Sequence, residues 1–243
     1  MNARLKSDGV EVTRATGRRG FRACVAGTAV VAAGVAAGMA ATPATAAGTS
    51  TVNVVHGIPG VAVKVCVDGK AAADHFRYRD TITGAKVAAT THKVRLVAAG
   101  KACAAPAILT SSYTLQAGRN YTIVANLNAG GTPNLKAFVN NVKPTAAGKA
   151  RLTVRHTAQA PAVNVWAGTT RLVGGTSFTW GKSAAFAVPA GKYSAKVTLR
   201  GSKKPVIGPA SLMLRQGRAY QVYAVGSPGH YGLVTVKVPV GTR

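Results

Sequence analysis

Val54–Gly69 reads VVHGIPGVAVKVCVDG, and Val154–Gly168 reads VRHTAQAPAVNVWAG. Laid over each other without a gap, Val54, His56, Ala62, Val63 and Val65 fall on Val154, His156, Ala162, Val163 and Val165. In the first copy Val61, Val63, Val65 and Val67 alternate with Ala62, Lys64 and Cys66, the period of a strand with one buried face. Asp68-Gly69 follows directly, and both residues tolerate the positive φ that a two-residue hairpin turn demands. A repeat of strands, and no single motif, decides the fold.

The correspondence extends outward. NYTIVANL from Asn120 pairs with AYQVYAVG from Ala219, and each follows a turn, Gln116-Ala117-Gly118 or Arg215-Gln216-Gly217. KVRLVAAG from Lys93 pairs with AKVTLRG from Ala195. Short strands punctuated by Gly, Pro and Asn predict an all-β protein of two tandem immunoglobulin-like or transthyretin-like β-sandwiches. At about 95 residues each unit is long enough for one core. Pro144, Gly148 and small residues in VKPTAAGKA (Val142–Ala150) mark a short extended linker. The expected layout is 1–46 signal peptide, 47–142 first sandwich, 143–149 linker and 150–243 second sandwich, with the sandwiches in a line.

The leader is read from Arg18 and Arg19, an uncharged Ala/Gly/Val run from Ala23 to Ala41, and the small-x-small set Ala44-Thr45-Ala46. Signal peptidase pockets admit short side chains, so cleavage is expected between Ala46 and Ala47. Arg18-Arg19 with Phe21 resembles a twin-arginine signal, while Gly17 and Arg22 depart from that pattern and leave general secretion open. The alternative is an uncleaved anchor, weakened by Gly27, Gly34 and Gly38 in the apolar run. The reading makes the mature protein secreted, free or associated with the cell wall.

Beyond that cut stand 25 basic residues and three acidic ones, Asp68, Asp74 and Asp80, a net charge of +22. Surface positions of a sandwich need polar residues, so a solubilising face is the plain reading. A field of one sign nevertheless gathers polyanions. The expected partners are anionic envelope polymers or other polyanions, bound without specificity. The contact residues expected from turns and local density are Arg119, Arg200, Lys203, Lys204, Arg215 and Arg218. Arg155 and Lys64 read as further cations on polar faces. Trp166 reads first as a core residue; the alternative function, a dedicated carbohydrate- or nucleic-acid-binding module, would use it as an exposed aromatic, although no aromatic-basic nucleic-acid motif is present.

Several stretches together resemble the secreted bacterial proteins of domain-of-unknown-function family 4397. They are VNVVHGIPGVAVKVCVDGK (Val52–Lys70), LQAGRNYTIVANL (Leu115–Leu127), ARLTVRHTAQAPAVNVWAG (Ala150–Gly168), LRQGRAYQVYAVG (Leu214–Gly226) and GLVTVKV (Gly232–Val238). The resemblance implies an envelope-associated or extracellular β-sandwich protein and supplies no catalytic residue.

Other chemistry is sparse. His56 and His156 recur at one repeat position but have no carboxylate or cysteine at ligand spacing, so a ring packed under the following proline loop is expected in place of a metal pair. His75, His92 and His230 have no counterparts and read as loop residues. Three carboxylates, none repeated, argue against an enzyme; Asp68 reads as a turn cap, and Asp74 and Asp80 as partners of Arg77 and Arg79. No cofactor or metal is implied. Cys66 and Cys103 align with Trp166 and roughly Lys204, so both thiols are missing from the second repeat together, which suggests a disulfide; two free thiols are the alternative. Tyr121 and Tyr220 read as equivalent packing anchors, and Phe178, Trp180 and Phe186 as one strand face.

Overall fold

Alternation of period two produces strands throughout, and the chain folds as two copies of one eight-stranded pattern. The structure, a computed structural model, describes residues 48–241; the leader and the expected cut between Ala46 and Ala47 lie outside them. The first copy comprises β1 (Thr49–His56), β2 (Val63–Val67), β3 (Lys70–Phe76), β4 (Thr81–Ala88), β5 (Thr91–Ala98), β6 (Ala107–Thr114), β7 (Asn120–Leu127) and β8 (Pro133–Asn140). The second comprises β9 (Lys149–His156), β10 (Val163–Ala167), β11 (Thr170–Val173), β12 (Ser183–Pro189), β13 (Gly191–Leu199), β14 (Pro205–Leu214), β15 (Arg218–Val225) and β16 (Gly232–Pro239). Among the described residues no helix is long and apolar enough to cross a membrane.

Four sheets of four strands result, with orders β4-β1-β7-β8 and β3-β2-β5-β6 in the first copy, β12-β9-β15-β16 and β11-β10-β13-β14 in the second. The orders are identical strand for strand. In both copies the first strand pairs in parallel with the seventh, Val54 beside Ile123 and Val154 beside Val222. Asp68 and Gly69 form the β2–β3 turn at φ 49° and 80°, as their sequence requires.

Each copy is a sandwich with its own core. Val52 and Val54 of β1 pack with Val65, Leu96 and Ile123 in the first; Leu152 and Val154 of β9 pack with Val165, Val197 and Val222 in the second. Tyr121 and Tyr220 are equivalent anchors: each hydroxyl accepts from a backbone amide five residues upstream, Gln116 at 3.1 Å and Arg215 at 2.9 Å.

The arrangement in a line does not hold. A third core joins the copies: Val55 and Val124 on the outer face of the first sandwich pack with Ala219, Tyr223, Val225, Val234, Val236 and Val238 of the second. The sheets containing β1 and β9 are therefore covered on both sides, and in β7 every residue from Asn120 to Asn126 is buried. Backbone groups meet directly, Gly226 N–H donating to Gly57 C=O at 3.1 Å. A Cβ on Gly57 would lie 2.9 Å from the Ala125 carbonyl and 3.0 Å from Val225, so the approach needs glycine. The segment after Asn140 reaches β9 at Lys149, and Arg151 holds it by donating to the Lys143 carbonyl at 2.7 Å.

Candidate functional site

The joined faces contain a polar chain that the sequence distributes over five strands. Asn53 Nδ2 donates to Asn120 Oδ1 at 3.0 Å, and Asn140 Nδ2 donates to the same oxygen at 2.7 Å. Asn140 Oδ1 then accepts from Arg155 Nη1 at 2.8 Å, which also donates to the Tyr223 hydroxyl at 2.5 Å, while Arg155 Nη2 donates to the Val139 carbonyl at 3.0 Å. Arg155 is 4% exposed, so it is no surface cation. Burial lowers its pKa, and burial raises that of Tyr223 against the opposing pull of the guanidinium. The arrangement is a structural clamp between repeats.

His56 and His156 occupy equivalent strand ends and are fully buried. His56 Nδ1 accepts from the Ile58 amide at 3.2 Å, and His156 Nε2 bonds the Pro161 carbonyl at 2.9 Å. Phe76 stacks on the first ring at 5.8 Å and Phe178 tilts over the second at 6.2 Å. Burial lowers both pKa values, so the rings are neutral core groups. Among the described residues no three His, Cys, Asp or Glu side chains come together as metal ligands would.

His92 lies in β5, not in a loop. Its Nδ1 meets Asp68 Oδ2 at 2.6 Å and its Nε2 meets the Ala88 carbonyl at 2.8 Å. Two acceptors on opposite sides favour the doubly protonated ring: the Ala88 carbonyl, then Asp68, raise its pKa, and His92 in turn lowers that of Asp68. The other two carboxylates also differ from expectation. Asp74 bonds Lys64 at 3.0 Å and accepts from the Gly100 amide at 3.0 Å, and the Gly100 amide, ahead of Lys64, holds its pKa at about 2. Asp80 accepts from the backbone amide of Arg77 at 2.8 Å. Arg79 instead donates to the Leu233 carbonyl of the second repeat at 3.3 Å.

Cys66 and Cys103 are joined in a disulfide spanning 37 residues. Arg95, opposite Cys66, donates to the carbonyls of Cys103 and Ala105 at 2.6 and 2.9 Å and fixes the bridged loop. Trp166 is half-buried, its indole donating to Thr198 Oγ1 at 3.3 Å with Lys196 5.6 Å from the ring centre. Phe178 and Trp180 precede β12 outside any strand and only Phe186 is in a strand, so the three do not form one face; Trp180 reaches the Leu127 carbonyl of the first repeat at 2.9 Å.

Arg119, Arg200, Lys203, Lys204, Arg215 and Arg218 are all exposed, but they fall into separate places. Arg200, Lys203 and Lys204 form the β13–β14 turn, while Arg215 and Arg218 flank the β14–β15 turn. Ten residues of β14 separate the two ends, roughly 33 Å at strand rise. Arg215 and Arg218 share a surface groove of about 340 Å³ with Lys237, Tyr220 and Met213. Arg119 occupies the equivalent turn of the first repeat, before β7. Sequence reading missed the convergence of Lys237, which faces Tyr220 across the β15–β16 pairing.

Fold and bridge together define a disulfide-containing β-sandwich protein of two repeats. Residues 50–166 match the family model described as Domain of unknown function (DUF4397), a match that runs from β1 to Trp166 in β10. No curated protein matches it. Among solved structures, a family 26 carbohydrate-binding module from Eubacterium rectale, in complex with maltoheptaose, aligns over 80% of this chain and 98% of its own at 10% identity, TM-score 0.24. A protein described as a cell adhesion protein, from Bacteroides ovatus, aligns over 79% and 98% at 9% identity, TM-score 0.25. Scores this low transfer no ligand.

Proposed function

We propose that this is an exported, non-catalytic, two-repeat β-sandwich protein held by charge at the cell envelope or on extracellular polyanions. The observation that carries the reading is the pairing of its charges. Among the described lysines and arginines, only Lys64 forms an ion pair with a carboxylate. Asp68 and Asp74 are held by His92 and Lys64, and Asp80 by a backbone amide. The exposed cations therefore face solvent without local compensation, and an anionic polymer supplies the missing charge. The disulfide fits an oxidising compartment. In this reading 47–142 and 150–243 are the two repeat domains, and the groove of Arg215, Arg218 and Lys237 is one contact point.

The test is a binding titration at several salt concentrations with DNA, an anionic wall polymer and a neutral glycan. Log affinity for both polyanions is expected to fall linearly with log salt, because each contact releases condensed counterions. Equal affinity for the neutral glycan, or affinity independent of salt, would overturn the proposal in favour of a dedicated ligand site.

A further inference from the structure

The two repeats share strand order but not core volume. Three equivalent positions beside the cores differ. Val52 on β1 stands opposite Ala85 on β4, where the second repeat has Leu152 opposite Phe186. Ala72 on β3 is matched by Leu172 on β11, each one residue before the partner of Val65 or Val165. Smaller side chains at all three positions leave the first sandwich with an internal cavity of about 160 Å³, whereas the corresponding space in the second is about 20 Å³.

The cavity wall is apolar. Val52, Val54, Val65, Val94 and Ile123 contribute from the two sheets, and Ile82 and Val87 from β4. The two polar side chains that reach it have their polar atoms engaged elsewhere: Tyr113 donates to the Leu135 carbonyl at 3.0 Å, and both His92 nitrogens are bonded to Asp68 and Ala88. Water in such a space would find no partners, and a cavity of this kind stays dry. One wall reaches solvent, because Ala72 is exposed, and Ala85 and Val87 beside it are half-buried. β3 and β4 are edge strands of their sheets, so the opening lies between two edges and crosses no ladder of hydrogen bonds.

We propose that the first sandwich is a binding site for an uncharged apolar group of about six carbons, the end of an aliphatic chain or a single ring, entering between β3 and β4. A dry apolar cavity on the order of 150 Å³ holds benzene in another protein, which sets the size class. Filling the space restores the dispersion contacts that the second repeat makes with Leu152, Leu172 and Phe186. The site is independent of surface charge, so salt leaves it unaffected.

Methyl-detected NMR tests the site on the full mature chain, with benzene and n-hexanol as probes. Saturable shifts are expected at Val52, Val54, Ile82, Val94 and Ile123, and none at Val154 or Val222 in the second core. The variant Ala72→Leu/Ala85→Phe, which installs the residues of the second repeat, is expected to lose the shifts; Ala85→Phe alone provides the same test if the double variant does not fold. Native dispersion of the second-core methyls reports that the fold is retained. Absence of saturable shifts in the wild-type chain, or shifts undiminished in a folded cavity-filled variant, would overturn the proposal.

Discussion

The guanidinium of Arg155, on β9, sits 4.6 Å over the ring of Phe138, on β8, placing a buried cation of the second repeat against an aromatic of the first. The Tyr223 ring lies 5.3 Å away on another side. Among the described residues no carboxylate neutralises this charge; two rings, the Tyr223 hydroxyl, Asn140 and a carbonyl offset its desolvation. A charge held this way ties the two repeats into one folding unit.

Removing a single hydroxyl tests the clamp. Tyr223→Phe keeps the ring and deletes an acceptor, leaving a buried guanidinium N–H with one partner fewer. The expected loss is about 2 kcal/mol, within the range for an unsatisfied buried polar group. For a chain of this size that corresponds to a fall of roughly 4–8 °C in Tm, measured by calorimetry. An unchanged Tm would mean that Asn140 and Val139 suffice.

The shared core also changes what the disulfide stabilises. Closing a loop with a separation of 37 residues is worth roughly 4 kcal/mol on the chain-entropy account. Were the sandwiches independent, the variant Cys66→Ala/Cys103→Ala would melt in two steps, the second repeat unaltered. Val55 and Val124 packed against Tyr223 and Val225 predict one cooperative transition at lower temperature. Two separated calorimetric peaks would count against the coupling.

That coupling was not legible in the sequence, for a physical reason. Period-two alternation assigns Asn120, Thr122 and Asn126 of β7 to an outer face, and outer faces are ordinarily wet. They are buried because a second sheet covers them, and a strand does not announce what lies beyond its own polar side. Arg155 misleads in the same way: a cation at an alternate position reads as solvated. His92 and Asp68 stand 24 residues apart, so their contact depends on β5 pairing with β2. The hairpin at Asp68-Gly69, the paired tyrosines and the disulfide were readable, because each rests on local geometry or on comparison of the repeats. The cation positions were readable as a list but not as two clusters at opposite ends of β14.

His92 gives the protein a pH signature of definite sign. Its folded pKa is raised, so its stabilising contribution is fully present below the unfolded value near 6.5 and disappears as pH rises through the folded value. Asp68, lowered by the same contact, contributes above its unfolded value near 3.8 and loses that contribution as pH falls. The pair is therefore strongest between about pH 4 and 6.5. His56 and His156 act oppositely, since burial lowers their pKa values and acid charges them only on unfolding. The difference in Tm between wild type and His92→Gln isolates the pair, and it is expected to be larger at pH 5.5 than at pH 8.5. A difference independent of pH would exclude a charged His92.

The two cationic clusters make the charge-retention proposal divisible. Lys203→Gln/Lys204→Gln alters the β13–β14 turn, and Arg215→Gln/Arg218→Gln alters the groove at the far end of β14. All four side chains are exposed, so their removal should leave Tm nearly unchanged. At physiological ionic strength charges farther apart than about 8 Å are largely screened, and the clusters lie several such lengths apart. Each pair should therefore lower the salt slope of DNA binding independently, by about one to two counterions, and the quadruple variant should show the sum. The groove pair is expected to cost more affinity, because Lys237 and Tyr220 shape a concave contact there that the open turn lacks. Titrations at four or more salt concentrations give the slopes. Unchanged slopes in both variants would move the polyanion contact to other cations, with Arg119 in the equivalent turn of the first repeat the next to replace.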